Sequence, residues 1–169
     1  MAKKNKNLTT FNNHYGIVLL ILVVISLITL FLPVVEYVAK MGDTTNSIVG
    51  WRATFSYVST SDSVSITYAT FSFFNMLAYL LPVAGLILSL LFRDSKNILL
   101  NLASFACFAL SAVLFFFIVQ NVAYTEDAGA SLITFYTQSL GYGAILGGIA
   151  NIISAIICAI KVGFILMDR

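Results

Sequence analysis

The sequence predicts an all-α membrane protein: a four-transmembrane-helix bundle with a small extracytoplasmic β-hairpin or three-stranded layer. Three observations carry this reading. Of 169 residues, 60% are hydrophobic and 9% charged, against about 45–50% and about 25% in a soluble domain. Four long runs contain no Asp, Glu, Lys, Arg or His. Two of the polar segments between them are rich in aromatic and β-branched residues. A soluble fold of this length cannot cover so much apolar surface. An ordinary cytosolic domain, a disordered chain and a nucleic-acid-binding protein are therefore excluded.

The apolar runs cover about 16–35, 71–92, 98–119 and 140–160. Each has the roughly 20 residues needed to cross a hydrocarbon core about 30 Å thick. Backbone polar groups in lipid must pair within their own segment, so each run is expected to be a helix. The chain is read as one integral membrane domain in the lipid bilayer. The first run is too long for a signal peptide's apolar region and lacks a small-residue cleavage site after it, so it is read as an uncleaved span.

Orientation follows from the basic residues. Lys3, Lys4, Lys6, Arg93, Lys96, Lys161 and Arg169 fall on one side, and only Lys40 and Arg52 on the other. Both termini and the inner loop 93–97 are expected to be cytoplasmic, in a multi-pass protein of a bacterial plasma membrane. Five residues in that loop make spans two and three antiparallel neighbours.

The outer loops are 36–70 and 120–139. In the first, 54–59 and 64–70 flank the polar break Thr60-Ser61-Asp62-Ser63, the pattern of a β-hairpin. In the second, 132–137 is expected to add a third strand, because an isolated hairpin is marginal in water. The competing reading starts span four near Ser131 as a long projecting helix.

Within the spans, Gly143, Gly147, Asn151, Ala155 and Ala159 recur every four residues. This spacing lays them along one helical stripe, and Gly-xxx-Gly allows close helix approach in membranes. The stripe serves either packing within the chain's own bundle or a face for a second copy or a partner helix. Pro82, mid-way along span two, removes a backbone donor and is expected to kink that helix. Pro33 is expected to set the exit of span one. Trp51 and Arg52 in the first outer loop are expected to anchor it on lipid headgroups or to centre a recognition patch. Tyr15, Tyr37, Tyr68, Tyr79 and Tyr142 fall near span ends, as an aromatic belt would.

Chemistry-bearing motifs are sparse. Cys107 and Cys158 both lie in apolar runs, which excludes a disulfide scaffold and a cysteine zinc site. His14 is the single histidine, with no Asp, Glu or Cys near it in the sequence to make a metal or acid–base pair. No Gly-x-Ser-x-Gly elbow occurs. Nothing calls for a cofactor or a metal. The spans also lack the ionisable residues that ion-coupled transport ordinarily uses.

Leu32-Pro33, Ala78-Tyr79-Leu80-Leu81-Pro82 and the stretch 140–149 (LGYGAILGGI) resemble the small four-span membrane proteins of Firmicutes and related bacteria. The layout also resembles that of the claudin group: four spans, a longer first outer loop with strands, and a short inner turn. The tryptophan and paired-cysteine signature of the claudin loop is missing, so this second likeness implies an outline of the architecture alone. The functional expectation is a non-enzymatic accessory or interaction subunit that recognises a protein or envelope partner through helix faces and outer loops. The alternative is an oligomeric channel, a transporter subunit or a lipid- or small-molecule-binding membrane protein.

Overall fold

A computed structural model describes residues 6–42, 45–61, 64–93, 95, 97–126 and 134–167. Helix α1 covers Lys6–Ile28 and closes with a 3-10 turn, Thr29–Phe31. Strands β1 (Pro33–Ala39) and β2 (Thr45–Val49) follow, then the short helix α2 (Gly50–Thr54). The hairpin β3 (Tyr57–Ser61) and β4 (Val64–Ala69) leads into α3 (Phe73–Leu91). Helix α4 is Ile98–Phe116, strand β5 is Tyr136–Leu140, and α5 is Tyr142–Met167.

The chain is mostly helical, and four of its helices are long and apolar enough to cross a membrane: His14–Phe31, Phe73–Leu91, Ile98–Phe116 and Tyr142–Met167. Helix α1 packs on α3 and α5, and α4 packs on the other side of both. Two helix starts carry local capping signals. The Ser72 side chain accepts from the Asn75 backbone N–H, and Asn97 accepts from that of Leu99 at 3.0 Å.

Pro82 lies inside α3, and the helix runs on through it. Proline has no N–H to give the carbonyl four residues back, which here is Ala78. The Ser111 hydroxyl of α4 donates to that carbonyl at 2.7 Å. The proline thus creates an acceptor that the neighbouring helix fills.

The first span ends earlier than expected. A residue before proline is driven out of the α region, and Leu32 is extended (φ −100°, ψ 154°). Residues 33–35, read from the sequence as the end of the span, instead begin β1. Span four is longer than expected and reaches Met167. It takes in Lys161, which the sequence reading put in a cytoplasmic tail. The lysine is 1% exposed, so a basic residue does lie inside a membrane-length helix.

The β-structure forms two sheets rather than one layer. The hairpin β3–β4 is a two-stranded sheet close to where it was expected, with its turn residues 62 and 63 outside the described residues. The strand of the second connecting segment lies at 136–140 rather than 132–137, and residues 132 and 133 are also outside the described set. It does not extend the hairpin. It pairs antiparallel with β1, whose other edge carries β2. The reason is continuity: β1 emerges from α1 and β5 leads into α5, and those two helices already pack together. The hairpin is held instead by the stretch after α4, where Thr70 N–H donates to the Ala123 carbonyl and Thr125 N–H to that of Tyr68.

Candidate functional site

Opposed residues on antiparallel strands point to the same face of a sheet. Tyr37 of β1 is opposite Asn46 of β2 and Gln138 of β5. Asn46, Tyr37 and Gln138 therefore form one row across the three-stranded sheet. Tyr136 lies two residues along β5 from Gln138, on the same face. The β3–β4 hairpin brings Tyr57 and Tyr68, which stack at a centroid distance of 5.3 Å. Between the sheets is a cleft of about 370 Å³, lined by Tyr37, Asn46, Ser47, Ile48, Tyr57, Tyr68, Phe135 and Tyr136.

The tyrosines are fixed by one another. Tyr37 and Tyr136 meet edge-to-face at 6.4 Å, a favoured aromatic geometry. The Tyr37 hydroxyl bonds that of Tyr124. Burial, together with the neighbouring Tyr124, pushes the Tyr37 phenol well above its ordinary range, and burial raises Tyr124 as well. Both therefore stay neutral through physiological pH. The Gln138 side-chain nitrogen is buried without a hydrogen-bond partner.

Trp51 and Arg52 sit on α2, both exposed. The Arg52 guanidinium lies 5.3 Å from the Trp51 ring and 5.4 Å from that of Tyr57. The pair named from the sequence is thus connected to one wall of the cleft. The sequence reading did not single out the cleft. It assigned Tyr37 and Tyr68 to an interfacial belt, whereas both line the cleft. Alternation within short β-branched runs was the available signal for their shared faces.

The small-residue stripe on α5 is not a single surface. A Cβ on Gly143 would stand 2.8 Å from the Pro33 carbonyl oxygen, and one on Gly147 would stand 2.6 Å from the Phe115 ring. Asn151 is 1% exposed, and its amide donates to Ser26 Oγ at 2.9 Å and to the Gly147 carbonyl at 2.8 Å. Ala155 is 7% exposed and packs near Phe108 and Leu19. Ala159 is exposed. The last two line a shallow apolar groove of about 550 Å³ between α4 and α5, with Phe105, Ala109 and Ile156 among its walls.

A second polar cluster lies at the opposite end of the bundle. Lys161 Nζ is 3.3 Å from the Phe92 carbonyl and 4.6 Å from the centroid of the Tyr15 ring. The Tyr15 hydroxyl donates to Ser89 at 3.1 Å and contacts Cys158 Sγ at 3.4 Å. A carbonyl and a ring face suit a buried ammonium, because both present negative potential without a formal charge. Among the described residues, no group of three His, Cys, Asp or Glu side chains is placed to hold a metal ion.

No protein family, characterised protein or solved structure shows detectable similarity to this chain.

Proposed function

We propose that this is a non-enzymatic, multi-pass membrane protein that acts as a recognition or accessory subunit, with its β-sheets as the recognition surface. The observation that carries the reading is the tyrosine-lined cleft, mounted on a bundle whose interior is closed by side chains. Phe108, Phe115, Leu19 and Ile118 are completely buried there. Two buried polar side chains are spent on a neighbouring helix: Asn151 bonds Ser26, and Ser111 bonds the Ala78 carbonyl. Such an interior favours anchoring over conduction.

The basic residues of the amino-terminal tail and the inner loop favour cytoplasmic termini, with the cleft facing outward from what we take to be a bacterial plasma membrane. Strands in the long segment between the first two helices support a claudin-like outline. Two measurements test the reading. Liposomes containing the purified protein should retain entrapped ions and small solutes; a leak would overturn the non-transport assignment. A Trp51→Cys variant should react with an impermeant maleimide on intact cells, and labelling only after permeabilisation would reverse the orientation.

A further inference from the structure

We propose that the cleft binds an uncharged carbohydrate of one or two pyranose rings, an inference that rests on the outward-facing recognition reading. A pyranose has apolar C–H faces and a rim of hydroxyls. The cleft offers the complement of both. Tyr57 and Tyr68 on one sheet and Tyr136 on the other provide aromatic surface, and Tyr37, 3% exposed, backs Tyr136 edge-to-face. Asn46, on the Tyr37 face of the sheet, adds an amide to its lining, and the tyrosines add phenol hydroxyls. Each of these polar groups can both donate and accept, which is what a sugar hydroxyl requires. The volume of about 370 Å³ is near the lower end of the range for small-molecule sites, roughly 300–1,000 Å³, and holds about one or two such rings. Tyrosine also supplies rigid amphipathic contact at low entropic cost.

Other ligand chemistries fit less well. An acyl chain would leave the amide and phenol groups of the walls without partners, which is costly once they are desolvated. Aromatic cages also bind quaternary ammonium groups. Here, however, the Arg52 guanidinium already lies 5.4 Å from the Tyr57 ring and opposes a second cation. Among the described residues no carboxylate lines the cleft, and Glu36 is the strand neighbour of Tyr37, on the opposite face of β1. For an anion, no lysine or arginine is among the described lining residues, and Arg52, outside the lining, is already held over the Trp51 and Tyr57 rings.

The test uses full-length protein in nanodiscs and saturation-transfer-difference NMR. The probes are maltose, cellobiose and N,N′-diacetylchitobiose, with tetramethylammonium and glucose 6-phosphate as charged comparisons. At least one neutral disaccharide should receive saturation on its ring C–H protons. Tyr68→Ala and Asn46→Leu should each weaken its binding by about tenfold. Tyr142→Ala, at an exposed tyrosine outside the cleft, should leave it unchanged. Asn46→Leu keeps the side chain's size and guards against loss of the fold, which gel filtration and circular dichroism check. Absence of binding by all three disaccharides to the folded protein would overturn the proposal. So would binding of either charged probe that the same variants abolish. Retained maleimide labelling at position 51 with no sugar binding would refute the ligand class alone. Loss of that labelling would instead refute the recognition reading beneath it.

Discussion

The Ala78 carbonyl is the most sharply testable acceptor in the bundle. Pro82 cannot bond it, and the Ser111 hydroxyl does so at 2.7 Å from the adjacent helix. Both Ala78 and Ser111 are completely buried, so water cannot substitute. Ser111→Ala leaves the carbonyl unpaired, and a buried unsatisfied group costs about 1–3 kcal/mol. Interhelical hydrogen bonds in membranes average about 0.6 kcal/mol with a maximum of about 1.7, so a loss of about 1–2 kcal/mol is expected. In a Pro82→Ala background the alanine N–H bonds Ala78 within the helix, and Ser111→Ala should then cost about 0.6 kcal/mol or less. The double-mutant cycle therefore carries a coupling of about 1 kcal/mol. Equilibrium unfolding in mixed micelles, or steric trapping in bicelles, measures all four variants. Equal losses from Ser111→Ala in both backgrounds would refute the claim that the serine compensates for the proline.

Four further outcomes are expected. Gly147→Ala places a methyl 2.6 Å from the buried Phe115 ring; overpacking of about 1–3 kcal/mol, less about 1 kcal/mol of helix propensity, makes it neutral to destabilising by about 2 kcal/mol. Gly163→Ala, with no atom within 4 Å of the new carbon, should stabilise by about 0.5–1 kcal/mol, and thermal unfolding in detergent ranks the two. Ser26→Ala removes the Asn151 bond across α1 and α5 and should cost about 0.6 kcal/mol in the same assay, while a loss above 3 would show that the site does more than pair two helices. Burial raises the Tyr37 and Tyr124 phenols. Their contribution to stability is full below the unfolded phenol pKa of about 10 and falls as pH rises above it. Tyr37→Phe should make that alkaline fall shallower in a pH series of unfolding midpoints.

The four helices were legible because an uncharged run of membrane length has few other uses. The caps at Ser72 and Asn97, and the hairpin, follow from local residue types. What stayed hidden depends on distant partners. Val34 and Val35 are both completely buried, so β1 opens with an apolar stretch, ahead of Glu36, that hydropathy cannot separate from the end of a span. Its pairing with β5 joins residues about a hundred positions apart. Lys161 reads as a tail charge until Tyr15 and the Phe92 carbonyl are brought beside it. The cleft needs four tyrosines from four strands, and no single window of sequence contains them.

The passage from helix to sheet has a mechanical consequence. Leu32 alone separates the 3-10 turn from β1, and Gly141 alone separates β5 from α5. The two links cross in contact: Gly141 N–H donates to the Val34 carbonyl at 2.9 Å, and a Cβ on Gly141 would stand 2.5 Å from the Pro33 oxygen. There is no slack at this crossing to absorb movement. Strands β1 and β5 are thus joined to α1 and α5 by one residue each, and the two helices pack on one another. Lys161 and Tyr15 join the same two helices at their far ends. The helix pair is therefore pinned at both ends, by backbone contact beneath the sheet and by a cation over a ring at the opposite end.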